Sequence, residues 1–295
     1  MSFAATTSSP RDHFQITLGS QKFSLGRQTK IMGIINMTPD SFSGDGYWKK
    51  SRTVQERALR FAQKLILEGA DILDVGGESS RPGSQKISVQ EEIKRVIPFV
   101  KTLCSKVKIP VSVDTYKPRI AQEALDAGAT MVNTIKGVDI DKNLLKMVKR
   151  YNACIVLMHM KGTPLSMQRN PKYKNLMEDI LNDLRKSIEI CLEIGINSDR
   201  IIIDPGIGFG KTVEHNLEII NHLDKLKILK QPILIGPSRK SFIGKILNKE
   251  AGDRLVGTIA SVCGSIFRGA HIVRVHDVKA VKEAAVMTDA ILNGT

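Results

Sequence analysis

Two aspartates and an asparagine stand where short apolar runs end: Asp114 after 111–113, Asn133 after 131–132 and Asp204 after 201–203. A carboxylate in such a place can accept two neighbouring N–H donors at once. Cations occupy the same kind of position. Arg274 and His276 are two residues apart at the end of the run 272–275, so on an extended strand their side chains face the same way. Arg81 lies in the loop after 72–75. With Arg274 and His276 it offers charge-assisted hydrogen bonds to an anion. Gly83 and the Gly76-Gly77 pair let loop backbone come close to such an anion. Asn36 follows 31–35, His159 follows 155–158, and Ser238-Arg239-Lys240-Ser241 follows 233–235.

The elements that must position these groups repeat one pattern. A short apolar run is followed by a Gly-rich or polar loop, then by an amphipathic segment. The runs are 31–35, 72–75, 111–113, 131–132, 155–158, 201–203, 233–235 and 272–275. They are continuously β-branched rather than alternating, as in strands buried on both faces. Helical segments are predicted at 54–67, 91–103, 120–127, 144–148, 177–194, 213–223, 256–266 and 281–291. Gly69, Gly128, Gly195 and Gly269 each follow a helical run, where a C-terminal cap belongs. Alternating β and α units imply a parallel sheet, and eight of them imply a closed α/β barrel, the (β/α)8 TIM barrel. An open doubly wound sheet is the alternative. A short hairpin, 14–18 with 22–25 turning at Gly19-Ser20, precedes the barrel. In a parallel barrel all strand C-termini share one face, so the chemically loaded residues converge there.

Composition narrows the function classes. Aromatics are only 5% of the 295 residues, so the core must be aliphatic, as barrel interiors are. The net charge of +14 raises a nucleic-acid or anionic-membrane role. The basic residues are spread along the chain, however, and the single tryptophan, Trp48, sits in a Gly-rich loop. A lysine-rich solvated surface is preferred, with neither nucleic acid nor membrane as partner. Cys104, Cys154, Cys191 and Cys263 form no CxxC pair and sit in apolar-periodic segments. They read as reduced core residues of a cytoplasmic protein. Residues 1–13 are polar, lack the apolar core of a secretory signal and are expected to be disordered. Residues 14–295 are expected to form a single domain.

Seven segments in order resemble the dihydropteroate synthase family. They are Met32-Gly33-Ile34-Ile35-Asn36-Met37-Thr38-Pro39-Asp40-Ser41-Phe42-Ser43, Asp74-Val75-Gly76-Gly77-Glu78-Ser79-Ser80-Arg81-Pro82-Gly83, Val113-Asp114-Thr115, Leu157-Met158-His159-Met160, Asp204-Pro205-Gly206-Ile207-Gly208-Phe209-Gly210-Lys211, Ser238-Arg239-Lys240-Ser241 and Arg274-Val275-His276-Asp277. The resemblance runs from about Ile31 to Ala290. It implies condensation of 6-hydroxymethyl-7,8-dihydropterin diphosphate with p-aminobenzoate, giving 7,8-dihydropteroate in folate biosynthesis. It assigns the pterin to Asp114, Asn133, Asp204 and Lys240. It assigns the diphosphate to Asn36, Ser80, Arg81, Arg274 and His276, and the p-aminobenzoate ring to Phe42, Pro82, Lys240 and Ser241. Asn36 resembles the residue that helps hold Mg2+ on the diphosphate, and the family implies a homodimer.

The implied reaction breaks the C–O bond early and spreads the developing cation over the pterin. Catalysis then falls to Arg81, Lys240, Arg274 and His276 through positioning and stabilisation of the leaving group. No Ser-His-Asp or Cys-His pair is evident, which fits. The 206–211 stretch has neither dinucleotide-loop nor P-loop spacing and reads as a tight turn supporting Asp204. The loops 38–47 and 79–85 are expected to order over the diphosphate. Two departures stand out: Ser43-Gly44-Asp45-Gly46 displaces the usual acid by one residue, and Thr134 replaces the acid that usually follows the asparagine. A barrel transferring methyl groups from methyltetrahydrofolate to a corrinoid is the alternative activity; it would share the acids but not the cation set.

Overall fold

The computed structural model describes residues 11–38, 54–79, 84–163, 167 and 170–294. Strands β1 (Phe14–Leu18) and β2 (Gln21–Leu25) form the antiparallel hairpin. The sequence then alternates: β3 (Lys30–Asn36), α1 (Val54–Leu67), β4 (Ile72–Gly76), α2 (Val89–Lys106), β5 (Val111–Asp114), α3 (Pro118–Asp126), β6 (Met131–Thr134) and α4 (Lys142–Arg150). It continues with β7 (Cys154–Met158), α5 (Leu176–Ile194), β8 (Ile201–Asp204), α6 (Val213–Asn221), β9 (Leu234–Ile235), α7 (Ser241–Leu247), α8 (Leu255–Phe267), β10 (Ile272–Val275) and α9 (Val278–Asn293). The eight parallel strands run in the order β8-β7-β6-β5-β4-β3-β10-β9. A parallel bridge between Ile203 and Ile233 joins β8 to the lead into β9 and closes the ring. The chain is thus a (β/α)8 barrel with an N-terminal hairpin.

Each strand presents alternate residues to the two faces. Ile31, Ile35, Leu73, Val75, Val113, Val132, Ile155, Ile203 and Val273 pack outward with residues of the helices in one cluster. Met32, Ile72, Met131, Cys154, Val156, Ile202, Leu234 and Ile272 meet inside the barrel. Ile16, Leu18 and Leu25 of the hairpin join that inner cluster and plug the N-terminal end. Arg200 secures the plug by donating to the carbonyls of Thr17 (3.1 Å) and Asn152. The bottom is therefore closed and apolar, and the opposite end of the same inward-facing rows holds the polar groups.

Local signals explain the helices. Ser88 caps α2 by accepting from the Glu91 amide at 3.1 Å, and Asn175 caps α5. Thr212 and His215 form a reciprocal capping box on α6. Gly69, Gly128, Gly195 and Gly269 all have positive φ (91–105°), as helix ends require. The short α7 was not among the predicted helices. Its seven residues are too few to show helical periodicity.

Two expectations are corrected. The polar tail was expected to stay disordered to His13, but Arg11 is only 1% exposed and bonds Asp289 (2.5 Å) and Thr29 (2.7 Å). Of the cysteines, Cys154 and Cys191 are buried, whereas Cys104 and Cys263 are only partly so. Cys104 sits against Gly128 at the end of α3, and Cys263 Sγ accepts from Thr288 Oγ1 of α9 at 3.3 Å.

Candidate active site

The inward row of β4 reads Ile72, Asp74, Gly76, and that of β10 reads Ile272, Arg274. Both change from apolar to polar toward the C-terminal end. Arg274 joins two carboxylates across the barrel: Nε donates to Asp74 Oδ2 at 2.6 Å and Nη2 to Asp114 Oδ2 at 2.8 Å. Asn133 Nδ2 donates to the same Asp74 oxygen at 3.0 Å. Parallel register sets this grouping, with Gly76 opposite Asp114 and Asp114 opposite Asn133. Burial pushes the Asp114 carboxyl up to about 7; Arg274 and Lys240 pull it down, and Asp74 and Glu92 push it further up.

Asp204 ends β8 and lies on the same rim. Its Oδ1 accepts from the Gly206 amide at 2.7 Å. Gly206 has φ +72°, and a Cβ there would stand 2.0 Å from the His159 carbonyl oxygen, so only glycine fits the turn. Burial raises Asp204 to about 6, against the Gly206 hydrogen bond and the charges of Lys240, Lys211 and Arg274. Lys240 and Arg274 thus act electrostatically on both Asp114 and Asp204. The Lys240 ammonium lies 4.1 Å from the centre of the Phe209 ring, a cation–π contact.

Beneath this turn is a buried cation. Lys211 is 2% exposed and donates to His159 Nδ1 (2.9 Å), the Phe209 carbonyl (3.0 Å) and the His159 carbonyl (3.4 Å). Three acceptors suit the three-proton ammonium, while burial pulls the group down to about 7, opposed by Asp204 and aided by Lys240. Accepting at Nδ1 leaves the His159 proton on Nε2, which is 3.5 Å from Asp183. Burial and the neighbouring lysines, Lys211 first, lower His159 to about 3, so the ring is neutral.

His276 and Ser238 meet on the rim between β9 and β10. Ser238 Oγ is 3.0 Å from His276 Nδ1 and accepts from the His276 amide at 3.2 Å. Arg239 adopts a left-handed φ of +57° and turns its guanidinium away onto Asp277, at 2.9 and 2.5 Å. Lys240 precedes α7, and Ser241 opens it as an exposed residue. Asn36 ends β3 opposite Gly76, partly exposed on the same rim.

Of the predicted site residues, Asn36, Asp114, Asn133, Asp204, Lys240, Arg274 and His276 lie at the C-terminal ends of the strands or in the loops that follow, and Ser241 is the first residue of α7. Phe42, Ser80, Arg81 and Pro82, the Gly44-Asp45 departure, and most of loops 38–47 and 79–85 lie outside the described residues. Gly77 has a different reason from the one its sequence suggested: a Cβ there would stand 2.4 Å from Val96, so α2 requires it. Thr134 is buried, and its Oγ1 accepts from the Lys136 amide at 3.2 Å, a local turn bond. Asp74 and Lys211 were not assigned roles from sequence. Asp74 had a readable signal, a carboxylate at an inward position of an otherwise apolar strand. Lys211, after a glycine turn, had none.

A closed parallel barrel with acids, an amide and cations gathered at its C-terminal rim has the architecture of a barrel enzyme, whose active site lies at that face. The chain belongs to the pterin binding enzyme family, whose sequence pattern matches residues 32–276. Its relatives in that family include a dihydropteroate synthase of Clostridium beijerinckii, 47% identical over 276 residues and covering 93% of this chain and 98% of the relative. The crystal structure of a Yersinia pestis dihydropteroate synthase in a sulfonamide drug complex superposes with a TM-score of 0.88 at 37% identity, covering 95% of this chain and 100% of that one. A Xanthomonas albilineans dihydropteroate synthase with 4-aminobenzoic acid gives 0.87 at 35%, covering 95% and 98%.

Proposed function

We propose that the rim formed by β3 to β10 carries out dihydropteroate synthesis. The carrying observation is Arg274 bridging Asp74 and Asp114 at the rim that also holds Asp204, Lys240 and His276. Asp204 and Asp114, ionised, accept pterin N–H donors, and Asn133 and Lys240 meet its other polar edges. The methylene C–O bond breaks with its electron pair leaving on the diphosphate, and the p-aminobenzoate nitrogen attacks the carbon and loses a proton. Arg274 and His276 stabilise the charge that grows on the departing oxygens. The chamber floor excludes water from the pterin because the hairpin closes the other end.

Mg2+ fits as a partner of the leaving group rather than as a protein-held ion. Among the described residues no cluster of three His, Cys, Asp or Glu could hold a metal. Asn36 offers one neutral oxygen at the rim, which suits a cation bound mainly by phosphate and water. The charge of that ion would offset charge on the diphosphate. A coupled pyrophosphate-release assay with both substrates, with and without Mg2+, is the test; absence of release in both arms refutes the activity.

A second copy of the chain is proposed to cover α8 and α9. Val256 (76% exposed), Met287 (62%) and Ile291 (57%) stand out from these two packed helices. Val256→Asp should yield a monomer by sedimentation, and a dimer unchanged in weight would refute the assignment. A cytoplasmic location is proposed too: all four thiols are free, and no described helix is long and apolar enough to cross a membrane. Recovery of the protein in a membrane or extracellular fraction would refute it.

A further inference from the structure

Asp74 is fully buried on β4, one inward layer below the rim. One of its oxygens, Oδ2, carries both the Arg274 and the Asn133 hydrogen bonds. The other, Oδ1, is buried and has no hydrogen-bond partner among the described residues; nor does Ser112 Oγ, on the residue opposite in register. A buried carboxylate with an unsatisfied oxygen is costly. Replacing a buried ion pair by apolar groups is often neutral or stabilising. Stability therefore does not account for an acid in this layer. Its two partners do, since each lies beside a group that the proposed function puts on the pterin.

We infer that Asp74 is a positioning residue that seats Arg274 and Asn133 against Asp114. This rests on the reading of the rim as the pterin site. Without Asp74, the Arg274 side chain has one anchor rather than two. Its guanidinium is then free to turn fully onto Asp114 and occupy the oxygens that the heterocycle needs. Asn133 loses the acceptor that fixes its amide. The charged groups facing Asp114 are Arg274 from β10, Asp74 from β4, Glu92 from α2 and Lys240 from the loop after β9. Of these, Asp74 and Glu92 push the Asp114 carboxyl up and the two cations pull it down. Removing the Asp74 charge therefore moves Asp114 down.

The test uses the full chain carrying Asp74→Asn or Asp74→Glu. Pyrophosphate release gives kcat, KM and their pH profile. Carbon-13 NMR of aspartate-labelled protein, assigned with Asp114→Asn, follows Asp114 without turnover. Asp74→Asn should lower kcat/KM for the pterin diphosphate about tenfold or more, as small misplacements near a reacting centre do. It should also shift the Asp114 titration to lower pH. Asp74→Glu keeps the charge on a longer arm, so its titration should stay near wild type while kcat/KM falls about tenfold. A wild-type kcat/KM in either variant, or a loss in Asp74→Asn with the Asp114 titration unmoved, overturns the inference. A wild-type chain that releases no pyrophosphate refutes the functional reading instead, and the titration still decides whether Asp74 governs Asp114.

Discussion

Acidification should weaken pterin binding, and the structure sets the size of the effect. Burial raises Asp114 to about 7 and Asp204 to about 6, and both must be ionised to accept the ligand's N–H donors. The product of the two ionised fractions is ~0.9 at about pH 8 and ~0.05 at about pH 6, by ordinary titration. The dissociation constant should thus rise roughly twentyfold between those values. The sign for the ligand-free protein is opposite. Both carboxyls have folded values above their ordinary 3.8, so between about pH 4 and about pH 7 the folded state holds more protons than the unfolded one. Their contribution to stability therefore falls as pH rises through that window. Calorimetric titration with 6-hydroxymethyl-7,8-dihydropterin, which lacks the phosphates, measures the first trend, and thermal melts in the same buffers measure the second. Asp114→Asn should leave only the roughly twofold dependence that Asp204 supplies. A dissociation constant that does not change across this range, or that tightens in acid, refutes the assignment of these two groups.

Other outcomes follow from the buried cations. Lys211→Met removes a charge that lowers Asp204, so the acid limb of pterin binding should move to higher pH, and His159 should titrate above its value of about 3. An unmoved limb together with an unmoved histidine titration counts against Lys211 as the cation under Asp204. Arg11→Ala leaves the Asp289 carboxylate without its cation at 2.5 Å, held by the Thr29 hydrogen bonds, with both charged groups nearly buried. Urea unfolding should show a loss of about 3–5 kcal/mol, the usual result of leaving one partner of a buried pair; an unchanged midpoint would show that the segment at Arg11 does not help to hold the barrel.

Much of the site was legible because a parallel barrel gathers strand ends. Asp114, Asn133, Asp204 and Asn36 each follow an apolar run and Arg274 stands one residue before the end of another, and the barrel rule sends all such ends to one face. The glycines after helices were equally readable, since a left-handed helix cap is a local requirement. Partner choice was not legible. Arg274 was assigned to the diphosphate by resemblance, and nothing near it in sequence indicates that Asp74, 200 positions away, holds its Nε. Lys211 looked like the end of a glycine turn, and only the approach of β7 to β8 brings His159 over it.

The amino-acid sequence alone determined the alternating elements, the parallel sheet they imply and the strand ends at which chemistry collects, because hydrophobic period, caps and turns act over a few residues. Tertiary structure alone decided which carboxylate faces which cation, which oxygen stays unpaired and which acids burial holds near neutrality. Those depend on strand register and ring closure, which join positions far apart in the chain and remove them from water together.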